Sequence, residues 1–187
     1  MLHCWKSINV KKQYGFYRIF FLSAILVLTV FSFLHVSIQL ISDQPMYDQY
    51  FLWFAIGFFL IYPLHKVFHT LPLAGFISLI QLKTRFHFFC VPIMSVRVNK
   101  PIPKVFFIMA LVSPFLIING VLLYASTLFP GYAHYFTILT AYHTGICLVD
   151  FLYARSLFRS PKGAFIEEDD DGYEILVPVK ETQYPGI

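Results

Sequence analysis

The chain has 187 residues, of which 58% are hydrophobic and 13% charged, with a mean hydropathy of +0.67 and a formal charge of +4. A soluble fold of this size cannot hide that much apolar surface, and the charged share is about half that of a soluble domain. Those figures argue against a water-soluble enzyme, a disordered tail and a nucleic-acid-binding module, and they predict an all-α polytopic membrane protein.

In chain order, Lys6, Lys11, Lys12 and Arg18 precede an uncharged apolar run at residues 19–41, long enough to cross the ~30 Å hydrocarbon core. It is too long for a signal peptide and no small-residue cleavage site follows, so an uncleaved anchor is expected. The loop at 42–49 carries Asp43 and Asp48 but no Lys or Arg. The apolar stretch 50–82 would be roughly 50 Å long as one straight helix, more than one bilayer. Pro63 and Pro72 offer places to kink or break it.

Residues 83–104 change character. Lys83, Arg85, Arg97, Lys100 and Lys104 appear among β-branched and aromatic residues in partial alternation. This predicts a strand pair, a small cytoplasmic β element between the second and third spans. A third span is predicted over 105–129, interrupted by Pro114, and a fourth over 132–154 after the two-residue loop at 130–131. Arg155, Arg159 and Lys162 close it.

The tail is acidic and strand-like, with Asp171-Gly172 as a hairpin signal. Seven of the chain's ten acids lie in its last 28 residues: Glu167, Glu168, Asp169, Asp170, Asp171, Glu174 and Glu181. The expected organisation is a membrane domain over 1–160 and a cytoplasmic acidic tail over 161–187. Basic residues concentrate in the N-terminus, the 83–104 loop and the 155–162 segment, while the 42–49 and 130–131 loops have none. The positive-inside rule then gives four spans in the plasma membrane with both termini cytoplasmic.

The informative residues are those that are costly in a membrane. A charge in a transmembrane helix costs ~2.5–3.5 kcal/mol on insertion scales and is a functional hypothesis by default. Asp150 is the only acid inside a predicted span, and it must be paired, protonated or bound to a metal. His65 and His69, four apart, share one face of a helix, a spacing that lets two imidazoles bind one zinc ion as in H-E-x-x-H. Asp150 would be the third ligand. The residue between them is Lys66, where H-E-x-x-H has its general-base Glu, and a protonated Lys has no lone pair with which to accept a proton. A second arrangement fits the same residues: Lys66 and Asp150 pair inside the bundle, and His65 and His69 pack.

His143, seven residues before Asp150, falls on roughly the same face and is a candidate partner for a ligand. His35 and His134 read as interfacial. Cys4, Cys90 and Cys147 are too dispersed for a disulfide framework or a zinc knuckle. The acids at 167–171 lack the alternation of a calcium loop, and no Walker loop, GxGxxG or GxSxG occurs.

His65-Lys66-Val67-Phe68-His69, the strand-like segment after it, Ser113-Pro114-Phe115, Val149-Asp150 and AFIEEDDDGYEILVP together resemble a family of small bacterial membrane proteins classed as zincin peptidases. Their layout is similar to that of site-2-type intramembrane metalloproteases, and the resemblance spans roughly residues 50–180. It implies zinc bound by His65, His69 and Asp150, with Lys66 departing from the family's Glu. The leading expectation is a non-catalytic relative of an intramembrane metalloprotease that binds a membrane-protein partner. An active zinc metalloprotease is the second. A small envelope or transport accessory subunit using Asp150 and Lys66 for ion contact is the third. The lipid bilayer is the expected surrounding, and nucleic acid is not an expected partner.

Overall fold

The computed structural model describes residues 2–41, 44–74, 80–87, 91–98, 101–169 and 172–178. Most are helical. The elements are β1 (Leu2–Ile8), α1 (Val10–Tyr14), α2 (Phe16–Ile41), α3 (Phe51–Thr70), β2 (Ile80–His87), β3 (Val91–Val98), β4 (Ile102–Pro103), α4 (Lys104–Leu128), α5 (Ala133–Ile146), α6 (Leu148–Phe158), β5 (Phe165–Asp169) and β6 (Gly172–Pro178). Three helices are long and apolar enough to cross a membrane, and the pair α5–α6, bent by 46° at Cys147, makes a fourth if counted as one.

The first and third of these match the sequence expectation closely. The second ends earlier than the 50–82 run suggests. α3 continues through Pro63, stops at Thr70 and gives way to a 3-10 turn at 71–74 that contains Pro72. By Ile80 the chain is already a strand. Proline cannot donate to the preceding turn, and the turn's tighter winding absorbs that missing bond.

The two ends of the bundle are built differently. At one end β1-β6-β5-β4 form an antiparallel sheet. The N-terminal strand pairs with the C-terminal one, Leu2 opposite Pro178 and Ile8 opposite Tyr173. The tail strands thus pack onto the helices: Ile166 and Ile175 are buried with Phe107, Leu111, Leu157 and Val10 in one cluster. The Lys104 ammonium, at the start of α4, donates to the Ser160 and Pro161 carbonyls just past α6, at 2.9 and 3.2 Å, tying those two helix ends together. The basic hairpin β2–β3 is antiparallel, with Ile80 opposite Val98. The turn residues Asp170 and Asp171, the tail beyond 178 and Cys90 lie outside the described residues. At the opposite end the loops without Lys or Arg meet: the Tyr47 amide donates to the Gly131 carbonyl at 3.0 Å, and the Tyr135 hydroxyl donates to the Asp48 carbonyl at 3.0 Å. Successive helices therefore run alternately between a sheet end and an aromatic loop end.

α4 is the central helix. It buries Phe107, Ala110, Leu111, Pro114 and Ile118, which share one face at 3–4-residue spacing, and Asn119 about 100° further round, and it packs against α3, α5 and α6. α5 buries small and polar residues, among them Thr137, Thr140, Ala141, Thr144 and Gly145. Small residues let helix backbones approach where the surroundings supply no hydrophobic drive. At Gly145 a side chain would run into Val27 and Ser23 of α2, and the Ser23 hydroxyl donates to the Gly145 carbonyl at 2.9 Å. α2 buries no residue at all; this close approach is its main anchorage.

Gly145→Ala should therefore destabilise the fold by about 1–3 kcal/mol through overpacking, read as a lower thermal midpoint in detergent. Adding Val27→Ala should return part of the loss. Equal stability of wild type and Gly145→Ala would show that α2 is not held there.

Candidate metal centre

The site is assembled from α3, α4, α5 and α6, in the half of the bundle nearer the sheet. One helical turn separates His65 from His69, so both rings leave α3 on the same side. Asp150 approaches from the first turn of α6. His65 Nε2 and His69 Nε2 are 3.0 Å apart. Asp150 Oδ2 is 3.2 Å from the first and 3.6 Å from the second. His65 is fully buried and Asp150 nearly so, with 13% of its side chain exposed.

Hydrogen bonds behind the rings fix where their protons lie. His69 Nδ1 is 2.8 Å from the Ala110 carbonyl, which can only accept, so Nδ1 carries the proton. That carbonyl, which also accepts from the Ser113 hydroxyl at 3.1 Å, lacks its helical backbone partner for a local reason. It lies four residues before Pro114, the residue whose missing N–H would otherwise have bonded it in α4. His143 Nδ1 donates to Asn119 Oδ1 at 2.7 Å. The amide's orientation is assigned by its other end, since Asn119 Nδ2 donates to Thr144 Oγ1 at 3.1 Å and that hydroxyl donates to the Thr140 carbonyl. A neutral His143 then has only a lone pair at Nε2, and it accepts from His65 Nδ1 at 3.1 Å.

The consequence is that both Nε2 atoms present lone pairs toward each other and toward a carboxylate oxygen. Three electron-pair donors this close repel unless a cation lies among them. Asp150 Oδ2 is buried and has no donor assigned to it, so either a proton on one of the two Nε2 atoms or a metal ion has to serve it. A tetrahedral ion with ligand bonds of about 2.0–2.1 Å separates its donors by about 3.3–3.4 Å, and the three observed separations bracket that value. The donor set and its orphaned oxygen fit zinc.

Lys66 does not join this cluster. One residue on from His65 it turns about 100° around the helix, and its ammonium lies 5.9 Å from the centre of the Tyr62 ring, one turn back. Among the described residues, the ion-pair neighbours of Asp150 are His65 and His69. The Lys66–Asp150 pair considered from sequence is thus not the arrangement found. His143 does lie behind a site residue, as its spacing allowed. Sequence reasoning overlooked Asn119 and Cys147. Asn119, a polar residue inside an apolar run, carried the same signal of costly burial that singled out Asp150. Cys147 carried none, because a buried thiol is unremarkable. His35 and His134 sit at the other end of the bundle, lining a cavity of about 360 Å³ with Gln39 and Thr137.

A family model described as "putative zincin peptidase" matches residues 58–165, more than half of the chain, and the chain belongs to that family. No curated protein and no solved structure matches it.

Asn119→Leu should leave the His143 Nδ1–H without an acceptor in an apolar interior, at a cost of about 1–3 kcal/mol. Thr144→Val, which frees the amide but keeps the acceptor, should cost less. Unfolding of the three proteins in mixed micelles measures both, and an Asn119→Leu protein as stable as wild type would refute the proton assignment.

Proposed function

We propose that this member of the zincin peptidase family is an integral membrane protein that keeps its family's metal centre and has lost its catalytic base. His65, His69 and Asp150 would hold the ion. When bound, zinc supplies a Lewis acid able to polarise a carbonyl oxygen. The observation that carries the reading is Lys66. At the position beside the first histidine, where a zincin needs a carboxylate to take and return a proton, the chain has an ammonium with three donors and no acceptor, resting on Tyr62. Positioned acid–base help is typically worth ~10²–10⁴ in rate, so its loss leaves little turnover. The ammonium also adds a positive charge near a divalent ion. A centre of this kind binds and orients without cleaving, and the partner expected is a transmembrane protein occupying the cleft where the family's substrates would lie.

Membrane insertion is supported by the exposure of large apolar side chains along α2, α3 and α4. Leu40 and Ile41, for instance, are more than 80% exposed. Tyr47, Tyr50, Trp53 and Tyr132 gather at the loop end, as aromatic residues do at a membrane interface. The pairing of β1 with β6 supports a cytoplasmic location for both chain ends, since those strands share one end of the bundle with the basic segments.

Purified full-length protein should contain about one zinc per chain, lost in His65→Ala, and should not cleave a panel of membrane-anchored substrates. Lys66→Glu should raise zinc affinity. Pro114→Ala, which returns an N–H to the Ala110 carbonyl and takes the acceptor away from His69, should lower it ~10–100-fold, the usual cost of losing a ligand's outer partner. Chelator-sensitive cleavage by the wild type, abolished in His65→Ala, would overturn the non-catalytic reading. For topology, Asp48→Cys should be labelled from outside intact cells and Lys162→Cys only after permeabilisation. The reverse pattern would overturn the orientation.

A further inference from the structure

The geometry points to a second metal position directly behind the first, made by His65 Nδ1, His143 Nε2 and Cys147 Sγ. These atoms also lie at ligand-like separations. His65 Nδ1 and His143 Nε2 are 3.1 Å apart, and Cys147 Sγ is 3.8 Å from the first and 3.6 Å from the second. A tetrahedral ion with bonds of about 2.0–2.1 Å to nitrogen and about 2.3 Å to sulfur sets nitrogen–sulfur edges of roughly 3.6 Å. All three side chains are buried, and His143 and Cys147 have no exposed surface. Cys147 sits at the break between α5 and α6, one turn after His143, so the bend aims its sulfur at the same point as the imidazole.

His143 is oriented for ligation. Asn119 accepts the Nδ1 proton at 2.7 Å, which turns the Nε2 lone pair toward His65 and Cys147. Histidine ligands are commonly held in this way by an outer hydrogen bond. The donor set differs from that of the first position. One thiolate and two imidazoles favour a soft, thiophilic ion such as Cu⁺, Cd²⁺ or Zn²⁺, whereas a carboxylate with two imidazoles is harder.

His65 belongs to both positions, and this makes them alternatives. With its proton on Nδ1, the ring offers Nε2 to the Asp150 side. With its proton on Nε2, the ring donates to Asp150 Oδ2, 3.2 Å away, and offers Nδ1 to the Cys147 side. Filling the second position thus moves the His65 proton from Nδ1 to Nε2 and releases the Cys147 thiol proton to solvent. One ion occupies one side at a time, and a single histidine tautomer selects which. The second position uses neither His69 nor Asp150 as a ligand, so it stands or falls separately from the proposed first site.

The test titrates Co²⁺ into purified full-length protein carrying Cys4→Ser and Cys90→Ser, in which Cys147 is the sole thiol. A thiolate-to-cobalt charge-transfer band in the near ultraviolet is expected, with about one cobalt per chain at saturation. It should persist in His69→Ala and vanish in His143→Ala. The parent spectrum decides thiolate ligation even where a variant fails to fold. Cobalt bound with no thiolate band overturns the second position and leaves the first standing. A band retained in His143→Ala, or lost in a folded His69→Ala, overturns the ligand set. A band that survives in His69→Ala while the parent shows no cobalt dependent on His69 supports the second position and counts against the first.

Discussion

Two imidazole nitrogens and a carboxylate oxygen within 3.6 Å of one another in an apolar interior need a proton or a metal ion among them. That constraint governs the middle of this molecule. The three groups come from α3 and α6, yet what holds them in register comes from α4 and α5. The helix interruption at Pro114 exposes the Ala110 carbonyl to His69, and the Asn119–His143 pair delivers a proton to the back of His65. Each of these groups would be a liability alone in a membrane-like interior. Chained together, every donor among them meets an acceptor, and the unmet electron pairs are all gathered at one point.

The scaffold around that point is economical. α4 presents its apolar face and Asn119 to three other helices, α5 uses small residues to let α2 approach, and the sheet joins both ends of the described chain beneath the bundle. The site lies near the sheet end, one residue before α3 stops at Thr70. The sheet and the Lys104 contacts to the Ser160 and Pro161 carbonyls tie the start of α4 to the end of α6. Lys66 stands just outside this frame. Its position on the helix makes it a neighbour of the centre in sequence but a companion of Tyr62 in space.

The sequence alone indicated three or four long apolar helices with a small sheet, because long apolar runs broken by basic loops follow from composition and need no tertiary information. It located α2 and α4 to within three residues, and it anticipated the β2–β3 pair and the β5–β6 hairpin from alternation and the Asp-Gly turn. It also singled out His65, His69 and Asp150, since helical spacing and the cost of an intramembrane charge are local properties. What it could not express was anything set by contacts between distant segments. That β1 pairs with β6, and that Asn119, His143 and Cys147 close in behind His65, depend on residues from 24 to 176 positions apart meeting in space. The lysine shows the same division: its identity was plain in the sequence, but whether it paired with Asp150 or lay over Tyr62 was decided only by the direction in which α3 turns each side chain once the bundle has packed.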